Sequence, residues 1–258
     1  MVAEGPGWTA LAKPAGLASV RERWAPDAPT ALSLLHALWR DRDPDAPKPF
    51  VIHRIDKETS GLLLFGRDAA TAKALSAAFR RRTVRKEYLA LVLGRPPEPS
   101  GEIEVRLLPD PRDPRRMVVH PKRGKKSVTA WETVEAFRGW TLLRVLPRTG
   151  RTHQIRVTLA GAGCPVAVDP IYGDGAPVLL SAIKPRYKPP SDHGEFPILA
   201  RLALHAHRLV SPDTAGTGGE VAVEAAIPKD FRLTLERLRR WKGEGRGRRV
   251  EAHGPAEE

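Results

Sequence analysis

The residues best suited to chemistry lie in the run His53-Arg54-Ile55-Asp56-Lys57-Glu58-Thr59-Ser60-Gly61, directly ahead of Leu62-Leu63-Leu64. A carboxylate flanked by His53, Arg54 and Lys57 sits in a positive local field, which favours its ionised form. The aliphatic run reads as a buried strand, a rigid base from which Asp56 can be aimed. Arg54 precedes Asp56 by two residues, so on an extended segment both side chains point the same way. Taken alone, the turn is equally a solvated loop ahead of a core strand. Three further residues read as structural on pattern alone. Tyr88 alternates with aliphatic residues and reads as a core tyrosine. Arg156 follows Thr152-His153-Gln154-Ile155 and reads as a surface arginine. Leu204, in Leu204-His205-Ala206, reads as core.

The elements that must position these residues follow from hydrophobic period and turn chemistry. Trp8 to Ala12 reads as a strand ended by the Lys13-Pro14-Ala15-Gly16 turn. Ala31 to Arg40 reads as a helix capped by Thr30, with Leu32, Leu35 and Trp39 on one face. After the strand at Leu62 to Gly66, Asp68 caps a predicted helix from Ala69 to about Arg82, and a strand follows from Val84 to Leu93. Strand-like runs at 102–107, 117–119, 127–134 and 141–146, separated by Pro and Gly turns, predict antiparallel pairing rather than alternating βαβ units. Thr152 to Ala162 reads as a helix, Val221 to Ile227 as a late strand, and Phe231 to Lys242 as an amphipathic helix. The segment 177–197 is rich in Pro, Lys and Arg and reads as an inserted loop. These features predict an α+β fold, a single domain over 1–242 with a mixed, mainly antiparallel sheet flanked by helices. Residues 243–258 are expected to form a charged, disordered tail.

Composition narrows the class of partner. The chain has 258 residues, 41% of them hydrophobic, as in a soluble globular protein. A net charge of +13 points to a polyanion, with nucleic acid the first candidate. The basic runs Arg80-Arg81-Arg82, leading into Arg85-Lys86, and Lys122-Arg123 with Lys125-Lys126, are the expected phosphate contacts. Arg237, Arg239, Arg240 and Lys242 crowd the last helix. The single cysteine, Cys164, excludes a disulfide framework or a thiolate zinc cluster and reads as a small buried hydrophobe. His205 and His207 lack partners at a recognised ligand spacing, so no metal site is expected. The first twelve residues lack a signal-peptide pattern, and no run is long and apolar enough to span a membrane. A cytoplasmic, monomeric protein is the expectation.

The Asp56 segment, together with four others, resembles the RluA-type pseudouridine synthases. The others are Lys13-Pro14-Ala15-Gly16-Leu17, Arg85-Lys86-Glu87-Tyr88-Leu89-Ala90, Arg148-Thr149-Gly150-Arg151-Thr152-His153-Gln154-Ile155-Arg156-Val157, and Arg201-Leu202-Ala203-Leu204-His205-Ala206. They occur in the family's order across residues 8–228. The resemblance implies an enzyme without cofactor or metal that isomerises specific uridines in ribosomal or transfer RNA. It makes Asp56 the essential aspartate, Tyr88 the ring that stacks on uracil, and Arg156 the cation held against Asp56. Arg54 then fills the space left by a flipped-out nucleotide, and Leu204 walls the base. His53, Gln154, Lys86 and Arg80 to Arg82 are assigned to substrate and RNA binding. The family's Gly-Asp pair appears here as Val168-Asp169, and Asp169 is given no catalytic role. With Lys13 already in the first motif, no RNA-binding domain is expected ahead of the catalytic core. Two other readings compete: a catalytically silent RNA-binding protein, and a glycosidic hydrolase. The hydrolase needs a second carboxylate, for which Glu58 and Asp174 are the candidates.

Overall fold

The computed structural model describes residues 1–189, 194–213 and 219–242. Its elements in chain order are β1 (Ala3–Gly5), β2 (Trp8–Lys13), α1 (Ala31–Arg42), β3 (Phe50–Val51), β4 (Ser60–Gly66), α2 (Ala69–Arg81), β5 (Arg85–Leu93), β6 (Ser100–Pro109), β7 (Met117–Val119), β8 (Lys125–Ala136), β9 (Trp140–Pro147), α3 (Gln154–Gly161), α4 (Leu180–Ile183), β10 (Leu204–Pro212), β11 (Glu220–Glu224) and α5 (Lys229–Arg240). The class is α+β with a mixed, mainly antiparallel sheet, as the run of strands and tight turns predicts. The predicted tail, 243–258, lies outside the described residues, as do 190–193 of the 177–197 segment. The chain divides into two compact units: 1–88 with 204–227, and 89–203 with 228–258.

In the first unit β4 is central. It pairs antiparallel with β2 and β3 and parallel with β10, which in turn pairs antiparallel with β11. All seven residues of β4 are buried, so it has two apolar faces rather than one. Strand alternation sends Leu62 and Leu64 to one side, where they pack with Trp8, Ala10 and the α2 residues Leu75 and Ala78. Leu63 and Phe65 face the other side and meet Ala31, Leu35 and Trp39 of α1. Both helices begin where the sequence predicts. Thr30 accepts from the Ser33 amide in a capping box, and Asp68 accepts from the Thr71 amide. The αL residue that ends α2 is Arg82, φ 62°, where glycine is the commoner choice.

Gly61 makes the β4–β10 pairing possible. Its φ is +115°, and a Cβ there would fall within 3 Å of the Ala206 backbone on β10. The Thr-Ser-Gly bend is therefore a point of close backbone approach, one residue from the end of the Asp56 turn.

In the second unit β9, β8, β6 and β7 form an antiparallel meander, with β8 bulged between Thr133 and Glu135. The short helix α3 packs on this meander and buries every residue from Gln154 to Leu159. The apolar end of β5 is matched by the 165–167 segment, where Ala167 donates to Leu91 and Leu93 donates to Pro165. Cys164 is fully buried, as its reading as a small hydrophobe expects, and burial pushes its thiol up to about 11.

Gly61→Ala is expected to cost about 2–4 kcal/mol, since the added methyl meets backbone at a left-handed position. Denaturant unfolding of the variant beside the parent protein measures this. A change under about 0.5 kcal/mol, the range of an ordinary surface substitution, would mean that β4 and β10 do not approach as described.

Candidate active site

The Asp56 turn is held by groups far from it in sequence. Lys13 is 2% exposed, and its Nζ donates to the carbonyls of Pro14, Leu17 and Lys57 at 2.9, 2.7 and 2.8 Å. An ammonium has three donors, and here each meets a carbonyl. The Lys57 carbonyl also accepts from the Gly16 amide at 2.9 Å. Ser19 Oγ donates to the Ile55 carbonyl and accepts from the Ile55 amide. The turn closes with the Thr59 amide on the Asp56 carbonyl at 3.1 Å. Backbone on both sides of Asp56 is thus pinned, while its side chain stays half-exposed. Lys13 and Ser19 escaped sequence reasoning as positioning residues. The available signal was the Lys-Pro-Ala-Gly turn itself, since a lysine that ends a buried strand needs carbonyls to receive it.

His53 departs from the role expected of it. Its Nε2 accepts from the Leu64 amide at 3.0 Å, and its ring stacks on Phe79 with centroids 4.5 Å apart. Burial, then the Lys86 charge, lower its pKa to about 3. The imidazole is therefore neutral at physiological pH and adds nothing to the positive field expected around Asp56. It extends the β3–β4 pairing by one rung with a side chain. Lys57 is likewise engaged, with Glu22 at 3.4 Å on the surface. Arg54 is exposed.

Tyr88 is half-exposed at the start of the buried part of β5. Burial and the Asp56 carboxylate both raise its hydroxyl pKa. That influence places Tyr88 and Asp56 in one electrostatic neighbourhood, and it keeps the phenol protonated. Tyr88 can stack and can donate a hydrogen bond, but as a phenolate base it is disfavoured. Leu204 is buried at the head of β10. Its carbonyl faces Ser60 Oγ, which also meets His205 Nδ1 at 3.0 Å. His205 and His207 reach the Ala225 carbonyl, and His207 also meets Glu224, so both serve the β10–β11 edge. Arg80, Arg81 and Arg82 lie at the end of α2, all three exposed, and Lys86 is half-buried on β5.

The Arg156 motif belongs to the second unit. Arg156 is 1% exposed, and Asp169, which is fully buried, grips it through Nε and Nη2, both at 2.7 Å. The surface-arginine reading is thereby excluded. Asp169, given no role from the sequence, also accepts from the Ile171 and Tyr172 amides. Burial opposes its charge, but Arg156 and those amides outweigh burial and hold its pKa below the ordinary carboxylate value. The Tyr172 ring covers the guanidinium at 5.2 Å from its centroid. The Tyr172 hydroxyl accepts from the Met117 amide and meets His153 Nδ1. Val168, just before Asp169, has φ +59°, a left-handed conformation rare for a β-branched residue. The glycine of the family pattern would suit that backbone without strain.

Gln154, assigned to RNA binding from its motif, is 4% exposed and fully occupied within the protein. Its Oε1 accepts from Thr149 Oγ1 and the Arg151 amide, and its Nε2 donates to the Val128 carbonyl and Thr129 Oγ1. With its hydrogen-bonding groups all engaged, it locks the turn before α3 to β8.

The profile of the RNA pseudouridylate synthase family matches residues 8–161. The chain belongs to this family. It is 35% identical over 186 residues to an uncharacterized RNA pseudouridine synthase of Zymomonas mobilis, covering 71% of this chain and 75% of that one. It is 35% identical over 193 residues to ribosomal large subunit pseudouridine synthase D of Neisseria meningitidis, covering 75% of this chain and 49% of the relative. The chain spans about half the length of the ribosomal relatives it matches. The solved human structure of RNA pseudouridylate synthase domain containing 4 superposes with a TM-score of 0.73 at 22% identity over 92% of each chain, a likeness of fold.

Asp169→Asn is expected to lower stability by about 3–5 kcal/mol at neutral pH, because it leaves a buried guanidinium without its counter-charge. The folded pKa of Asp169 lies below its unfolded value of about 3.9. Its contribution is therefore complete above that value and lost as pH falls through the folded one. The gap between variant and parent in unfolding free energy should narrow on acidification from about pH 7 toward about pH 3. A gap independent of pH would show that the carboxylate charge is not what holds Arg156.

Proposed function

We propose that this chain is an RNA pseudouridine synthase acting on ribosomal or transfer RNA in the cytoplasm, with Asp56 as its reacting carboxylate. The observation that carries the reading is a half-exposed carboxylate on a turn pinned from both sides, whose charge reaches the Tyr88 phenol, inside the segment that matches the family. The reaction breaks the bond from uracil N1 to the sugar C1′, turns the base, and joins C5 to C1′. The C5 proton is lost and N1 gains one, so atoms and oxidation state balance without a cofactor. Asp56 serves either by attacking C1′ or by removing the 2′ proton, and both roles need it ionised and aimed.

The remaining residues take supporting roles in this reading. Tyr88, held as the neutral phenol, stacks on the uracil ring. Exposed Arg54 occupies the place of the target nucleotide once it has left its stack, since chemistry at a glycosidic bond requires the base to be extruded. Leu204 backs the base from the interior. Arg156 is the cation of the site by its motif, and Asp169 fixes its orientation. Arg80, Arg81 and Arg82 at the end of α2 track RNA phosphates.

Asp56→Asn should abolish pseudouridine formation in cellular RNA supplied to the purified protein, while RNA affinity changes little. Persistent product from this variant would end the assignment of Asp56. Replacing Arg80, Arg81 and Arg82 by Gln should weaken RNA binding and reduce the magnitude of its salt slope, by about 0.7–0.9 for each phosphate no longer neutralised. A slope equal to that of the parent would place the phosphate path on other residues.

A further inference from the structure

A second cluster of cations, in the second unit, is used by none of the chemistry above. Lys184 Nζ lies 5.7 Å from the centroid of the Trp241 ring, Arg237 Cζ 5.9 Å and Arg240 Cζ 5.3 Å. Lys184 is also 5.5 Å from the Tyr187 ring, so it bridges two aromatic side chains. The segment that supplies Lys184 and Tyr187 also carries Arg186 and Lys188. Beneath Trp241 is a shallow cleft lined by buried Phe137, Trp140 and Leu238.

Among the described residues, the nearby carboxylates are committed elsewhere. Glu135 takes Arg239 and Lys242, Glu236 takes Arg232, and Glu195 accepts from the Ser181 amide. Among the described residues, no carboxylate pairs with Lys184, Arg237 or Arg240. Three like charges converging on one ring repel one another. The negative face of the indole and the C-terminal end of α5 offset that repulsion only in part. The arrangement gains most from a polyanion that also offers flat rings to stack, and single-stranded RNA has both.

We infer that Trp241 and Tyr187, with Lys184, Arg237 and Arg240, form a second RNA-binding patch that holds a single-stranded segment of the substrate RNA. This rests on the RNA-modifying reading given above. It also gives residues 184–187 of the Pro- and Lys/Arg-rich segment a function, as one wall of the patch. The patch supplies affinity, not chemistry.

The test combines Lys184→Gln, Arg237→Gln and Arg240→Gln in the full chain, with an Arg237→Lys, Arg240→Lys variant as the charge-conserving control. Binding of a labelled single-stranded oligouridylate is followed across a salt series, separately from turnover on an RNA that the parent protein modifies. The triple variant should lose about tenfold or more in affinity, and the magnitude of its salt slope should fall by about 2. KM for RNA should rise with kcat unchanged, and the charge-conserving control should keep the parent slope. Trp241→Phe should retain most of the affinity through its remaining ring. An unchanged slope and affinity in the triple variant would overturn the patch, whatever the turnover result. Absence of pseudouridine from the parent protein would count against the enzymatic reading instead, and the oligouridylate binding would still decide the patch.

Discussion

The candidate site depends on an ammonium taken out of water. Moving Lys13 into the interior costs several kcal/mol, and that cost is recovered only while its three donors meet carbonyls in the right places. Two of those carbonyls lie just after Lys13 and the third is that of Lys57, 44 residues further on. The constraint works in both directions. Lysine at the end of β2 demands a carbonyl from the Asp56 turn, and the turn cannot wander without leaving a buried charge unsatisfied. The bonds of Ser19 to Ile55 and of His53 to Leu64 act on the same few residues, so the Asp56 carboxylate inherits the rigidity of β4 without being buried in it.

The second unit repeats the strategy with opposite charges. Arg156 and Asp169 are both buried, and the pair is stable because its members also have other partners: two amides on Asp169 and a tyrosine ring over Arg156. Replacing such a pair with apolar residues often improves stability, so its burial is not in itself a folding gain. Val168 beside it holds a left-handed conformation, whose strain the surrounding structure must offset. Gln154 does similar work a turn earlier, donating its side-chain amide to the Val128 carbonyl.

These observations separate aiming from reacting. Asp56 and Tyr88 are half-exposed and electrostatically coupled, as the proposed reaction requires of groups that meet a substrate. Lys13, Gln154 and Asp169 are buried, and they and the half-exposed His53 are engaged by partners inside the protein, the pattern of groups that hold others in place. Asp56, Tyr88, Lys13, His53 and Gln154 all fall within residues 8–161, which match the RNA pseudouridylate synthase family, and Asp169 lies just beyond them.

Local sequence information was enough to establish the α+β class, most element positions, and the candidates Asp56, Tyr88 and Arg156. It consists of alternation along strands, caps such as Thr30 and Asp68, and the order of short motifs. Strand ends differ from expectation where a strand runs on into polar residues, as at β6 and β8, because pairing with a neighbour holds what local pattern does not. What each polar side chain in a motif is for emerges only from the folded chain. His53 and Gln154 read as ligand contacts in their motifs, and both are satisfied by backbone and side-chain partners within the protein. Asp169 reads as incidental and is the counter-charge of Arg156. Lys13 reads as part of a turn and anchors the Asp56 segment. A hydrogen bond between residues 44 or 26 apart leaves no periodic trace in a single sequence, so whether a polar group faces a substrate or a carbonyl is settled only when the chain has folded.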